Sequence, residues 1–224
     1  MLLQFQKGDI VRHLGLLDLQ RTMQRALRRS GLPVAYSKGF NPHIVMAFAS
    51  ALSSGIPGDA ELIDVSLTAD VTEEECLAAM NHVLPPSLKA NRVRLVDDRF
   101  PKAAASIQQA EYAIVVHGDA AKIAAALTDF LSNEEIMALR KTKKNETMVN
   151  IRPMIHELTC ACDQDADIAR MTARVSFVEA ATLKPDLLMS TLCSFSDAQP
   201  NKIEIRRTRL LGLVDGQPVP LIDM

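Results

Sequence analysis

Hydrophobic and polar positions along the chain form two successive blocks, and each block predicts the same order of elements. In the first block, short apolar or alternating segments at residues 2–12, 44–52, 61–67 and 88–96 are typical of strands. Two helical patterns lie between them, one at Leu16–Ser30 and one that begins after Thr72. The predicted order is therefore β-α-β-β-α-β.

Local signals mark the ends of these helices. The apolar residues of the first helix recur at i, i+4, i+7 and i+8, and Gly31 with Pro33 supplies the stop. The second helix begins with Thr72 and Glu75 at capping-box spacing, followed by an end at Pro85-Pro86.

The second block repeats the order with strand-like segments at 111–117, 136–141, 148–162, 169–178 and 203–213, and with helices at 119–131 and 185–195. Pro153 is a candidate break in the segment 148–162, and the pattern leaves open how the three middle segments pair. The sequence thus predicts an α+β protein built from two tandem ferredoxin-like (βαββαβ) units. The predicted domains are residues 1–100, with an arginine-rich helix and an aromatic loop, and residues 108–224, joined by the linker Asp97–Gln109.

Composition narrows the function classes. The net charge is −2, which argues against a protein that coats nucleic acid by bulk electrostatics. Any anion-binding role therefore requires local clusters of basic side chains. The chain has neither a signal-peptide pattern nor an apolar segment of about 18 residues, and we expect a cytoplasmic protein without a membrane partner. The pair Cys160-x-Cys162 lacks the usual zinc or redox spacing, so neither a metal nor a cofactor is expected.

Four arginines share one face of the first helix, opposite its apolar face: Arg21, Arg25, Arg28 and Arg29. No acidic residue occurs between positions 19 and 30, which predicts that the arginines lack partners within the helix. Guanidinium groups bind phosphate in a bidentate manner, so an RNA backbone is one expected partner. A solvated helix face, or pairing with acidic residues elsewhere in the fold, explains the same pattern.

The loop that follows the helix concentrates residue types that contact ligands. Its candidates for RNA or phosphate binding are Tyr36, Lys38, Phe40, Asn41 and His43. The aromatic rings can stack on bases, Lys38 precedes the flexible Gly39, and Asn41-Pro42 forms a turn that orients His43. Alternatively, the aromatic residues pack against the edge of the sheet and the loop is only a connection.

Two further basic clusters follow, at residues 140–144 and at Arg206-Arg207-Thr208-Arg209. On a strand, Arg207 and Arg209 share one face, and both are included among the phosphate-binding candidates. A solvated hairpin tip accounts equally for the cluster at 140–144. The candidates for general acid–base catalysis are His43 and His13, and of these His43 lies in the aromatic loop. The chain has no nucleophile–base spacing and no glycine-rich phosphate loop, which argues against an enzyme.

One long motif resembles a known family. It reads Asp18-Leu19-x-Arg21, Arg25-Ala26-Leu27-Arg28-Arg29-x-Gly31-Leu32-Pro33-Val34-Ala35-Tyr36-Ser37-x-Gly39-Phe40-Asn41-Pro42-His43 and Phe48-Ala49. It resembles the radical-SAM-linked protein family, a bacterial domain family of unknown function that is found with, or fused to, radical S-adenosylmethionine (radical SAM) enzymes. The segments Ile151-Arg152-Pro153-Met154-Ile155 and Arg206-x-x-Arg209 resemble its second half.

The resemblance implies a radical SAM enzyme as partner rather than a particular activity, because the biochemistry of the family itself is unassigned. Two departures remove polar groups near His43. Gly15-Leu16-Leu17-Asp18-Leu19 lacks the family's histidine, and Ile44-Val45 replaces its Pro-Lys.

Three functional hypotheses follow. The first is a non-catalytic RNA-binding or substrate-presenting module that works with a radical SAM enzyme. The second is a metal-independent RNA-processing or RNA-modifying enzyme that uses His43. The third is a protein-interaction adaptor that binds no nucleic acid.

Overall fold

The computed structural model describes residues 1–97, 99–141, 145–179 and 181–224. Two compact units make up the chain. The first contains Met1–Ile107 together with Arg207–Met224, and the second contains Gln108–Arg206.

The first unit shows the element order that its sequence predicts. Its elements are β1 (Leu2–Lys7), α1 (Leu16–Arg29), β2 (Met46–Phe48), β3 (Gly58–Val65), α2 (Glu73–Val83), β4 (Ala90–Arg94) and the short α3 (Ala103–Ser106). The strands follow the order β4-β1-β3, β2 also pairs with β3, and all these pairs are antiparallel. Both α1 and α2 contribute buried side chains to the hydrophobic core of this unit.

The amphipathic pattern of α1 is confirmed. Leu19, Met23, Ala26 and Leu27 are all buried. Gly31 follows the helix with a φ of 75°, a conformation that favours glycine and ends the helix. The capping box of α2 is also present, since the Glu75 amide donates to Thr72 Oγ1 at 3.2 Å and the Thr72 amide donates to Glu75 Oε2 at 2.8 Å. The Thr72 amide and the Thr72 hydroxyl, the latter at 3.0 Å, both donate to Glu75 Oε2, and these two bonds lower the pKa of Glu75.

The second unit contains the strands and helices that its sequence predicts, with the longest predicted strand divided in two. Its elements are β5 (Gln109–His117), α4 (Ala120–Ser132), β6 (Met137–Lys141), β7 (Glu146–Asn150), β8 (Ile155–Asp163), β9 (Ile168–Ser176) and α5 (Pro185–Ser196), followed by the start of β10 (Lys202–Val214). Strands β5, β9 and β8 form an antiparallel sheet in that order. The predicted strand at 148–162 is two strands, and the 3₁₀ turn that separates them, Arg152–Met154, contains Pro153, where the sequence indicates a break. Among the described residues, β6 and β7 pair only with each other.

The C-terminal segment belongs to the first unit, which corrects the predicted domain of residues 108–224. Arg207 of β10 pairs in parallel with Gly58 of β3, and its amide donates to the Pro57 carbonyl at 3.0 Å. Strand β11 (Gln217–Pro220) then pairs with β10. Sequence periodicity did not predict that the C-terminal segment belongs to the first unit, because pairing between strands that are distant in the sequence leaves no local signal.

The fold is thus mixed α+β, with parallel as well as antiparallel strand pairs. The tandem ferredoxin-like arrangement remains a prediction. No helix within the described residues combines the length and the apolar character that a bilayer crossing requires.

Candidate nucleic-acid interface

Helix α1 presents its arginines to solvent. The core of the first unit covers its apolar face, and the side chains of Arg21, Arg25, Arg28 and Arg29 are exposed on the opposite face. This arrangement follows from helix geometry, because residues three, four, seven and eight apart lie on one side of a helix.

Two of the four arginines have partners. Arg21 Nη1 lies 3.2 Å from Asp18 Oδ1, an exposed pair at i,i+3 spacing. Arg29 Nη2 donates to the Val83 carbonyl at 3.1 Å, where α2 ends and its dipole is negative. The prediction of a stripe without intrahelical partners is therefore wrong for Arg21, because Asp18 lies one turn before it.

Arg25 and Arg28 differ from these two. Within the described part of the chain, neither has an ion-pair or hydrogen-bond partner. They are three residues apart, so their backbone positions are separated by about 4.5 Å along the helix axis. This pair of arginines offers two unpaired cationic groups to an anionic ligand.

The aromatic loop is a hairpin rather than an irregular connection. Tyr36 and Ile44 form an antiparallel bridge, and we call residues 36–44 the tip hairpin. The Ser37 amide donates to the His43 carbonyl at 2.8 Å, and the His43 amide donates to Ser37 Oγ at 3.1 Å. Gly39 at the turn has a φ of 121°, which residues with side chains rarely adopt.

Backbone hydrogen bonds hold the base of this hairpin. The Ala35 amide donates to the Ser66 carbonyl at 2.8 Å, and the Ser66 amide donates to the Val45 carbonyl at 3.0 Å. Ser66 directly follows β3, so the hairpin is attached to the main sheet of the first unit. The base is therefore held by the sheet while the tip extends beyond it.

Phe40 stands at the tip with an exposure of 107%, that is, with no covering neighbours. Tyr36 is half exposed, and Lys38, Asn41 and His43 are exposed. The alternative in which both aromatic residues pack on the sheet edge is wrong for Phe40. Its ring is therefore accessible to a ligand, although a single exposed apolar side chain is in itself ordinary on a protein surface.

One side chain that is relevant to catalysis contacts His43, and it is that of Ser37. His43 Nδ1 lies 2.9 Å from Ser37 Oγ, and the pair closes the neck of the tip hairpin. A catalytic dyad usually has a third group that orients the histidine, and no such bond to His43 exists within the described residues. Among those residues there is also no cluster of three or more His, Cys, Asp or Glu side chains placed to hold a metal ion.

Arg207 is not an exposed phosphate ligand, contrary to its prediction. Its side chain is 1% exposed, its Nε donates to Glu61 Oε1 at 2.8 Å, and its Nη2 contacts Glu61 Oε2. The nearby Arg209 is exposed, so only this member of the predicted pair lies at the surface. Burial of Arg207 results from the pairing of β10 with β3, which the sequence pattern did not reveal.

Lys7 joins this pair in the interior and completes a buried charge cluster of Lys7, Glu61 and Arg207. Burial lowers the pKa of Lys7, the charge of Glu61 opposes this change, and Arg207 adds to it. Gly58 leaves space for the cluster, because a Cβ atom there would lie 2.5 Å from Glu61 Oε1. The sequence did not predict this buried cluster, because isolated charged residues on strands are usually exposed to solvent.

A pH-dependent stability is expected from Lys7. The pKa of Lys7 in the folded chain lies below its ordinary value of 10.5. At a pH between the folded-state pKa and 10.5, the unfolded chain still carries the proton, whereas the folded chain has lost it. The free energy of unfolding should therefore rise with pH across this window. The test is urea unfolding of the wild type and of Lys7→Met from neutral pH to 10.5. As the pH rises, the free energy of unfolding of the wild type should increase relative to that of Lys7→Met. A difference independent of pH would contradict the assignment.

A polar cavity in the first unit was also missed by the sequence analysis. It has a volume of ≈ 390 Å³, and Asp64, Ser66, Thr68 and Lys102 are among its lining residues. Burial raises the pKa of Asp64, and the hydrogen bond from the Ala103 amide and the charge of Lys102 oppose this change.

The basic cluster at 140–144 is only partly described, because Thr142, Lys143 and Lys144 lie outside the described residues. Arg140 Nη2 donates to the Thr182 carbonyl at 3.0 Å, and Lys141 Nζ lies 3.1 Å from Glu146 Oε1. Both Arg140 and Lys141 therefore have partners within the second unit.

These observations describe a mixed α+β protein with a candidate anion-binding surface on its first unit. That surface combines the tip hairpin with Arg25 and Arg28, which have no partner among the described residues. The chain belongs to the bacterial family DUF2344, described as an uncharacterized protein conserved in bacteria, whose model matches residues 1–185. That description names no partner enzyme, so the radical SAM link remains an implication of the motif. No curated protein matches the chain in sequence.

The fold is similar to that of a chain in the crystal structure of a Cbf5-Nop10-Gar1 complex. The TM-score is 0.51 at 11% sequence identity, and the match covers 93% of this chain and 48% of that chain. The chain thus spans about half the length of that structure's chain. At this identity the likeness concerns the fold alone.

Proposed function

We propose that the chain is a non-catalytic RNA-binding module that presents single-stranded RNA to a radical SAM enzyme. The observation that carries this proposal is the combination of two exposed arginines on α1, which have no partner among the described residues, with a fully exposed phenylalanine at the tip hairpin. The partner enzyme comes from the motif resemblance. The RNA comes from the chemistry of these side chains.

The two elements have complementary tasks in this proposal. Arg25 and Arg28 bind phosphate oxygens through charge-assisted hydrogen bonds, which position the strand without selecting its sequence. Phe40 stacks on an unpaired base, and Lys38 adds a cation beside the flexible Gly39. A single-stranded ligand is favoured over a duplex because the bases of a duplex are stacked on each other and not available to Phe40.

The proposal predicts that Arg25→Glu with Arg28→Glu lowers RNA affinity about ten- to hundredfold, because each arginine loses its phosphate contact. The dependence of affinity on salt should also weaken, by about 0.7 in the logarithmic slope for each contact with a single strand. The measurement is fluorescence anisotropy of a labelled, mixed-sequence RNA about 12 nucleotides long, at several salt concentrations.

A matched control separates local binding from overall charge. Lys89→Glu with Arg170→Glu changes the net charge by the same amount, since both side chains are exposed and lie outside the α1 face. This control should retain most of the affinity. Phe40→Ala should weaken binding by about 1–3 kcal/mol without changing the salt slope. Equal binding by the wild type and the α1 double variant would refute the RNA-binding proposal.

A second candidate function rests on the contact between Ser37 Oγ and His43 Nδ1. In this alternative, His43 acts as a general acid–base group in metal-independent cleavage or modification of RNA. The purified chain is incubated with total cellular RNA, and products are compared with those of His43→Ala. A product that depends on His43 would favour the enzyme over the binding module.

A further inference from the structure

The β6–β7 hairpin of the second unit exposes an apolar surface. Met137 and Leu139 of β6 and Met148 of β7 are between 42% and 53% exposed, and Phe195 at the end of α5 is 48% exposed. They line a groove of ≈ 510 Å³ between β6 and α5. Apolar side chains gathered in one groove, rather than scattered singly, are typical of an interaction surface.

The same hairpin has a strand edge without a partner. Strands β6 and β7 form a two-stranded sheet, and within the described residues no other strand pairs with either of them. An edge strand leaves backbone N–H and C=O groups ready to pair with another chain. Natural proteins protect such edges with charges, prolines or bulges, and the middle of β6, Met137-Ala138-Leu139, has none of these.

The residues around β6 read Glu135-Ile136-Met137-Ala138-Leu139-Arg140-Lys141, with an acid at one end and a base at the other. Side chains alternate in exposure: Glu135, Met137, Leu139 and Lys141 are exposed, whereas Ile136 and Ala138 are buried. One face of the strand is therefore acidic, apolar, apolar and basic in order. When two copies of this strand run antiparallel, the acidic end of each lies opposite the basic end of the other, and the apolar residues lie opposite each other.

We propose that the chain forms a symmetric homodimer in which β6 pairs with β6 of a second copy in antiparallel register about Ala138. This register places Met137 opposite Leu139 of the other copy, and Glu135 opposite its Lys141, each twice by symmetry. Directly opposite residues point to the same face of an antiparallel pair, as the observed alternation requires. Registers centred on Met137 or Leu139 instead oppose a charge to an apolar side chain.

Lys141 already has a partner in its own chain, Glu146. Both side chains of that ion pair are more than half exposed, so the pair contributes little to stability and can exchange. Glu135 has no ion-pair partner among the described residues. It therefore requires no broken contact to meet Lys141 of the second copy.

The test uses charge variants of the full chain in sedimentation-velocity runs across a range of protein concentrations. The wild type should dimerise. Glu135→Lys and Lys141→Glu should each raise the dimer dissociation constant about tenfold or more, because each creates two like-charge contacts. The double swap, Glu135→Lys with Lys141→Glu, should restore the dimer.

A mixture of the two single variants gives a sharper result. In a mixed dimer, position 135 of each copy faces position 141 of the other, and both contacts then join a lysine to a glutamate. The mixture should therefore dimerise although neither variant does so alone. Circular dichroism melts establish that each variant is folded. A wild type that stays monomeric, or a dimer that neither single variant weakens, would overturn the proposal.

Discussion

Glu61→Gln is expected to lower the free energy of unfolding by about 3–5 kcal/mol, although it replaces only one oxygen of the side chain by nitrogen. Glu61 is the carboxylate of the buried cluster with Lys7 and Arg207, and it accepts two hydrogen bonds from the Arg207 guanidinium. The amide keeps the volume but removes the charge. Arg207 then loses the anion that accepts its two hydrogen bonds in the interior, and Lys7 loses the charge that favours its protonation. Removing one partner of a buried ion pair in this way is strongly destabilising.

Urea denaturation followed by circular dichroism measures this loss. Asp223→Asn is the matched control, because it removes a carboxylate from the Arg92–Asp223 ion pair, whose side chains are 53% and 40% exposed. That change should cost at most about 1 kcal/mol. Similar losses for both variants would mean that solvent reaches Glu61 and that the cluster is not a buried one.

Phe5→Ala is expected to cost about 3–5 kcal/mol, whereas Phe40→Ala should change stability by less than about 0.5 kcal/mol. Phe5 is fully buried in β1, and its ring packs edge-to-face against Phe48 of β2 at a centroid distance of 6.1 Å. Truncation removes apolar contacts and leaves a cavity in the core of the first unit. Phe40 has no such contacts, because it stands free at the tip hairpin.

The comparison of Phe5→Ala with Phe40→Ala also tests whether Phe40 has a structural role. The same substitution is made in both, so differences in unfolding free energy report on environment alone. Thermal and urea unfolding of both variants give the values. If Phe40→Ala destabilised the chain as Phe5→Ala does, the tip residue would have a structural task, and its role in base stacking would lose its main support.

Helix positions were well predicted because they depend on local signals. The repeat of Leu19, Met23, Ala26 and Leu27 predicted which face of α1 is buried, and Gly31 predicted where the helix ends. The capping box of Thr72 and Glu75 likewise needs only four consecutive residues. Such features lie within one or two turns of helix, so the sequence alone contains them.

The candidate interface was predicted in part. Exposure of Arg25 and Arg28 follows from their position opposite the apolar face. The hairpin form of the aromatic loop did not follow, because it depends on hydrogen bonds between Ala35, Val45 and Ser66. The partner of Arg29 was equally hidden, since Val83 belongs to another helix.

By itself, then, the sequence determined the helices, their apolar faces and the concentration of arginine and aromatic residues between Arg21 and His43. Only the tertiary structure decided that Arg207 lies beside Glu61 in the interior, and that the segment 207–224 completes the first unit. The physical reason is that periodicity records which side of an element faces the core. It does not record which distant strand lies next to it, and strand pairing decides whether a charged residue is buried with a partner or exposed to a ligand.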